Sequence, residues 1–201
     1  MFIAIEGIDG TGKSTQAARL AAYLESHGKD TLLTKEPGGW EGGEKLREMV
    51  LDGSLKHPWS EIYLFMLDRA EHIARVIKPA EAEGRIVVCE RYHASTVAYQ
   101  VYGRGMTEEP LDLLFKLSDF PVPDLTILLD MEPEKSMRRV IGRGNLDAFE
   151  REGCGFMQKI REGYLKQMEC DRNRWVCISA DAAADDVFDK IAAVLTQRGV
   201  I

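Results

Sequence analysis

Near its start the chain passes from apolar Phe2-Ile3-Ala4-Ile5 into Gly7-Ile8-Asp9-Gly10-Thr11-Gly12-Lys13-Ser14. Few folds accommodate that order. The segment fits G-x-x-x-x-G-K-[ST] without a mismatch. A buried strand is expected to end at Glu6, and a helical pattern begins at Lys13. Between them Gly7, Gly10 and Gly12 can adopt the positive φ angles that turn consecutive backbone N–H groups inward, making a nest for polyphosphate oxygens. Lys13 is then placed to reach the β- and γ-phosphates, and Ser14 to offer its hydroxyl to Mg²⁺. The following helix presents its positive N-terminus to the same anion. Gly7, Ile8, Asp9, Gly10, Thr11, Gly12, Lys13, Ser14 and Thr15 are therefore the candidate ATP-binding residues.

Beyond this loop, apolar runs alternate with helical patterns. Strands are expected at 2–6, 31–34, 86–90, 125–130 and 175–179. Helices are expected at about 13–26, 44–51, 59–83, 95–102, 111–118, 133–142, 149–170 and 185–197. Several strands read as continuous apolar stretches, as parallel strands covered on both faces do. Alternation with long crossovers implies an α/β fold of P-loop NTPase type, a doubly wound, five-stranded parallel sheet with helices on both faces. Ligands should gather at the carboxyl ends of its strands. The 201 residues suit one such domain, with a short lid at 142–148 where Arg143 sits between glycines.

A net charge of −7 gives no global field toward nucleic acid or anionic membrane. No apolar run approaches the roughly 18 residues that span a bilayer, and Met1 leads straight into a strand. These features predict a cytoplasmic protein with neither nucleic acid nor membrane as partner. Cys89, Cys154, Cys170 and Cys177 show no C-x-x-C spacing and are expected as free thiols, with Cys89 and Cys177 buried.

A phosphate loop alone leaves motor, GTPase, transporter subunit and kinase open. No N-K-x-D or L-S-G-G-Q sequence is present, which lowers the GTPase and transporter readings. Polar residues instead cluster where strands end: Glu36-Pro37-Gly38-Gly39, Glu90-Arg91-Tyr92, and Arg143 in the late loop. Together with Lys45-Leu46-Arg47, Leu67-Asp68-Arg69-Ala70, Ser95-Thr96-Val97-Ala98-Tyr99-Gln100 and Pro123-Asp124-Leu125-Thr126, these stretches resemble the bacterial thymidylate kinases. The resemblance runs in order to about residue 180. It implies transfer of the ATP γ-phosphoryl group to dTMP, with Mg²⁺ present and a homodimer as the assembly.

Two anionic ligands need cations to draw them together, and guanidinium forks bind phosphate oxygens bidentately. Arg47 and Arg91 are accordingly the candidates for gripping the acceptor phosphate. Arg143 is the candidate transferring cation, acting beside Lys13. The resemblance places Asp9 at the 3′-OH of dTMP, Phe65 against thymine, Arg69 at its O4 edge and Tyr99 under the deoxyribose. It also brings Glu36 to the dTMP site. Thr96 and Gln100, four apart on a helix, can address the base edge together. Three departures stand out. Glu90 replaces the family's aspartate as metal partner to Ser14, Ala148 replaces a lid arginine, and Lys35 stands where arginine is common. Pro37 is expected by analogy to follow a cis peptide.

Overall fold

In the computed structural model, residues 1–142, 144 and 146–201 are described. β1 (Phe2–Glu6) lies at the centre of a five-stranded sheet ordered β2-β3-β1-β4-β5, with every pairing parallel. β2 is Thr31–Lys35, β3 Ile86–Glu90, β4 Leu125–Asp130 and β5 Trp175–Ser179. The chain builds outward from β1 to one edge and then to the other, the doubly wound arrangement expected. Four strands begin and end as expected. β2 is one residue longer because Lys35 pairs in register with Glu90.

Alternation along β1 divides the core. Ile3 and Ile5 pack with Leu20 and Leu24 of α1 (Lys13–Ser26) and with Ile191 and Leu195 of α9 (Ala184–Gln197). Phe2 and Ala4 face the opposite side, where Ile73, Ile77 and Tyr92 cover them. That second side also carries α2 (Gly43–Leu51), α3 (Pro58–His72), α4 (Lys78–Ala82), α5 (His93–Thr96), α6 (Glu108–Ser118), α7 (Pro133–Ile141) and α8 (Cys154–Cys170). The helices therefore flank both faces.

Two expected helices are not uniform. The one read as 59–83 is α3, a π-helical stretch at Ile73–Ile77, and α4. Pro79 supplies the reason, since it lacks an N–H and its ring crowds the carbonyl one turn back. The one read as 95–102 is α5 followed by a π-helical stretch, Val97–Gly103. The helix expected from 149 begins instead at Cys154, after a 3₁₀ turn at Glu150–Glu152 and a break at Gly153, where φ is +83°. Cys89 is buried, but Cys177 is exposed, because edge strand β5 is only partly covered. No helix among the described residues is long and apolar enough to cross a membrane.

Candidate active site

The loop after β1 curls at the carboxyl end of the sheet. Gly7 has φ +144°, and a Cβ there would lie 2.5 Å from the Leu129 carbonyl oxygen, so only glycine fits. The Ser136 hydroxyl donates to the Asp9 carbonyl from α7. In front of the loop lies a groove lined by Asp9 to Gln16 together with Glu90, Arg139, Ala182 and Ala184. Gly7 and Ile8 sit behind this groove. Their carbonyls accept from Arg91 Nη1 (3.2 Å) and from Lys13 Nζ (2.8 Å), and Ile8 also accepts from Thr11 Oγ1 (2.9 Å). Lys13 is only 4% exposed. Burial and the nearby Arg91 pull its pKa down to about 8, against the opposing pull of Asp9, Glu90 and Glu6. The Ser14 hydroxyl donates to Glu90 Oε1 at 2.9 Å, which sets a hydroxyl and a carboxylate side by side at the mouth of the groove. That donor pair suits a hard cation that keeps most of its water and takes phosphate oxygens, as Mg²⁺ does.

A cleft lies on the other side of Asp9. Its lining includes Asp9, Glu36, Arg47, Phe65, Arg69, Arg91, Thr96, Tyr99 and Gln100, so all nine residues expected around the acceptor meet at one cleft. The Glu36–Pro37 peptide beside it is cis. Asp9 lines both the groove and the cleft. Burial opposes ionisation of Asp9, but Arg91, Lys13 and the Tyr99 hydroxyl outweigh it and hold the carboxyl well below the usual carboxylate range.

Arg91 occupies the junction. Its Nη2 donates to Asp9 and to Tyr99 Oη (3.1 Å), and its Nη1 to Ser95 Oγ (3.2 Å) and Tyr164 Oη (3.3 Å). The Tyr99 hydroxyl in turn donates to Asp9 Oδ2 at 2.7 Å. Arg47 is far less engaged, with Nη1 3.3 Å from the Pro37 carbonyl and no ion pair among the described residues. Its neighbour Glu44 faces Lys35 instead (3.8 Å).

Arg69 is 1% exposed. Its Nε and Nη2 lie 2.8 and 2.7 Å from Glu36 Oε2, and Nη2 donates to Thr96 Oγ1 at 3.1 Å. Glu36 Oε1 meets His72 Nδ1 at 2.9 Å, so the Glu36 carboxylate is engaged at both oxygens. Gln100 is fully buried, and its Nε2 donates to Glu61 Oε2 at 2.9 Å. Among the described residues, Arg69 Nη1 and Gln100 Oε1 are left as buried polar atoms without partners. Both belong to the lining of the cleft.

Arg143 lies outside the described residues. Arg139, on α7, lines the groove from the surface. In the segment read as a lid, Asp147 Oδ1 accepts from the N–H groups of Phe149 and Glu150 at 2.9 Å, and Glu150 Oε2 accepts from Asp147 N–H at 3.0 Å. The Ala148 N–H donates to the Leu51 carbonyl (3.0 Å), which joins this segment to α2. Asp147 and Phe149 close one side of the cleft. Sequence reading missed Glu6, Glu61, His72 and Tyr164. Glu6 alone carried a signal, as a charged residue closing an otherwise apolar strand.

A phosphate nest that meets a second, deep cleft at one shared carboxylate defines a P-loop phosphotransferase, which brings a polyphosphate up to an acceptor. The comparisons narrow the class. The family model described as thymidylate kinase matches residues 5–191. A thymidylate kinase from Maridesulfovibrio salexigens is 41% identical, over 98% of this chain and 96% of the relative. A probable thymidylate kinase from Pyrococcus abyssi is 42% identical, over 98% and 96%. The crystal structure of thymidylate kinase from Ehrlichia chaffeensis superposes with a TM-score of 0.80 at 31% identity, covering 98% of each chain. The chain belongs to the thymidylate kinase family.

Proposed function

We propose that ATP lies in the groove and dTMP in the cleft, their phosphates meeting beside Asp9. The reaction is that of the family, the ATP-dependent phosphorylation of dTMP to dTDP. One observation carries the assignment of the cleft: among its lining residues Arg69 and Gln100 carry a buried donor and a buried acceptor that find no partner among the described residues. Thymine offers an acceptor at O4 and a donor at N3–H, which answers that pair, whereas cytosine offers the reverse. Phe65 stacks against the base, Tyr99 underlies the deoxyribose, and Asp9 receives the 3′-OH. Thr96 and Glu36 act by holding Arg69.

At the phosphate end, Arg91 and Arg47 bind the acceptor phosphate, while Lys13 and Arg143 serve as cations for the donor phosphates. A 5′-phosphate oxygen of dTMP attacks the γ-phosphorus, and the bond to the β,γ-bridging oxygen breaks to release ADP. The attacking oxygen is already anionic at neutral pH, so the chain supplies no general base. Its work is positioning and charge neutralisation. Ser14 and Glu90 would hold Mg²⁺, which neutralises phosphate charge when bound. Residues 142–148 act as the lid of a single domain and exclude water from the transfer.

The assembly is a homodimer. Tyr63 and Leu67 on α3 and Leu113 and Leu117 on α6 are exposed apolar side chains, and both helices pack on the Val97–Gly103 stretch, Ile62 and Leu111 sharing an apolar cluster with Val97. The four unpaired thiols suit the reducing cytoplasm, where we place the enzyme. Purified protein with ATP and Mg²⁺ should form ADP when dTMP is added and much less with dCMP. No dTMP-dependent ADP refutes the assignment, and equal turnover of dCMP refutes the reading of the base edge. Light scattering at micromolar concentration tests the dimer.

A further inference from the structure

We infer that Glu61 decides which base edge the cleft accepts, by fixing the direction in which the Gln100 amide points. The inference deepens the base-edge reading above and rests on it. A glutamine side chain can present either its oxygen or its NH₂ group, and the two have almost the same shape. What selects the direction is the partner at the other end. Glu61 Oε2, on the first turn of α3, lies 2.9 Å from Gln100 Nε2. An ionised carboxylate only accepts, so the NH₂ must face it and Oε1 must turn away, into the cleft lining.

Glu61 is itself held. Arg104 Nη2 donates to Glu61 Oε1 at 3.2 Å, and its Nε lies 3.5 Å from Oε2. Arg104 is fixed in turn by Glu152 and by the Phe149 and Phe156 rings, 5.3 and 5.1 Å from its guanidinium carbon. The direction of the polar edge thus passes from Arg104, which only donates, through Glu61, which only accepts, to Gln100. Only the last of these residues lines the cleft. Glu61 is a positioning residue for specificity.

Glu61→Gln inverts this relay in a defined way. The new side chain would keep its oxygen toward the Arg104 donors and turn its NH₂ toward Gln100. The Gln100 amide would then flip and present a donor to N3–H of thymine. The test compares kcat/KM for dTMP, dUMP and dCMP, since dTMP and dUMP share the same polar edge. The expected result is a fall of about tenfold or more for dTMP and dUMP together, carried by KM, the scale of one neutral hydrogen bond lost with a buried donor left unmet. Turnover of dCMP should not fall with them, and KM for ATP should hold. Glu61→Asp keeps the acceptor and should retain the wild-type dTMP-to-dCMP ratio, while Glu61→Ala should lower it.

A dTMP-to-dCMP ratio within about twofold of wild type in Glu61→Gln overturns the inference. An equal loss on all three acceptors does so as well, because that is what simple loosening would produce. If Glu61→Gln fails to fold, the other two variants decide: loss of the ratio in Glu61→Asp, or its retention in Glu61→Ala, overturns it. A wild-type enzyme that accepts dCMP as readily as dTMP overturns the base-edge reading itself, so the two failures are distinct.

Discussion

Replacing Arg69 by lysine separates its hold on the buried network from the base contact proposed for it. Three of its contacts are internal, to Glu36 at 2.7–2.8 Å and to Thr96 at 3.1 Å, with no solvent access. Removing one partner of a buried ion pair outright costs about 3–5 kcal/mol. Lysine keeps the charge but offers a point donor in place of a planar fork, so it can face Glu36 yet loses Thr96 and the free Nη1 together. The stability loss should be that of one charged hydrogen bond, about 1.5–3 kcal/mol. For a chain of this size that is about 3–12 °C in Tm, at roughly 2–4 °C per kcal/mol. The missing base contact leaves a polar edge unanswered in a dry site. It should cost about 1–3 kcal/mol, or about 5- to 150-fold in kcat/KM for dTMP. The loss should appear in KM for dTMP, with KM for ATP unchanged, in a coupled ADP assay beside thermal denaturation. A variant that melts lower but binds dTMP within about twofold of wild type would refute contact between Arg69 and the base. A weakened KM without any loss of Tm would refute the structural half.

Four further outcomes follow from the same geometry. Asp9 has a folded-state pKa below its unfolded value near 3.8, so its contribution to stability is complete above that pH and is lost as pH falls below it; Asp9→Asn should flatten this part of the acid-unfolding curve. Tyr99→Ala removes the ring proposed to exclude a 2′-OH, and should lower the preference for dTMP over UMP by about tenfold or more in competition assays. Glu90→Gln weakens the carboxylate paired with Ser14 and should raise the Mg²⁺ concentration for half-maximal rate by about tenfold or more, leaving Tm nearly unchanged. At Gly39 a Cβ would stand 2.3 Å from the Lys35 carbonyl and 2.7 Å from His72 Nε2, so Gly39→Ala should lose stability at the upper end of the roughly 1–3 kcal/mol that overpacking costs, measured by urea unfolding.

The fold was legible where one physical constraint dominated. β1, β3 and β4 are largely apolar runs because both faces are covered, and their ends are marked by the charged residues Glu6, Glu90 and Asp130. The π-helical stretch before Pro79 followed from a visible proline that the apolar periodicity had masked. The second stretch, at Val97–Gly103, has no local mark. It lies against α8, where Gly163 lets Tyr102 approach and Gly103 lets Phe156 approach, and such packing is fixed by residues distant in sequence. The site shows the same division. Residues in motifs could be named, but the groups that hold them could not. His72 reads as an ordinary helical polar residue and Tyr164 as a core aromatic until the fold brings each to a carboxylate.

Arg91 shows how the sheet pre-arranges charge. Its φ of +63° is a conformation that costs a non-glycine residue about 1–3 kcal/mol, so the surroundings must impose it. They do so from both sides. The Arg91 N–H continues the ladder to the Ile5 carbonyl at 2.9 Å, and the next N–H, of Tyr92, turns to Glu6 Oε1 at 2.8 Å. Glu6 also accepts from Ser95 Oγ and Tyr164 Oη, the two hydroxyls that receive Arg91 Nη1. Burial pushes the Glu6 carboxyl up from its usual pKa, yet every one of these neighbours donates to it, which favours the ionised form. The guanidinium is thereby fixed before any ligand arrives, and a fixed cation needs little reorganisation when phosphate charge develops beside it. Arg47, with a single long hydrogen bond among the described residues, is the opposite case and would lose side-chain freedom on gripping a ligand. If both grip the acceptor phosphate as proposed, the anchored Arg91 keeps the geometry at the point of transfer while the looser Arg47 adapts to the acceptor.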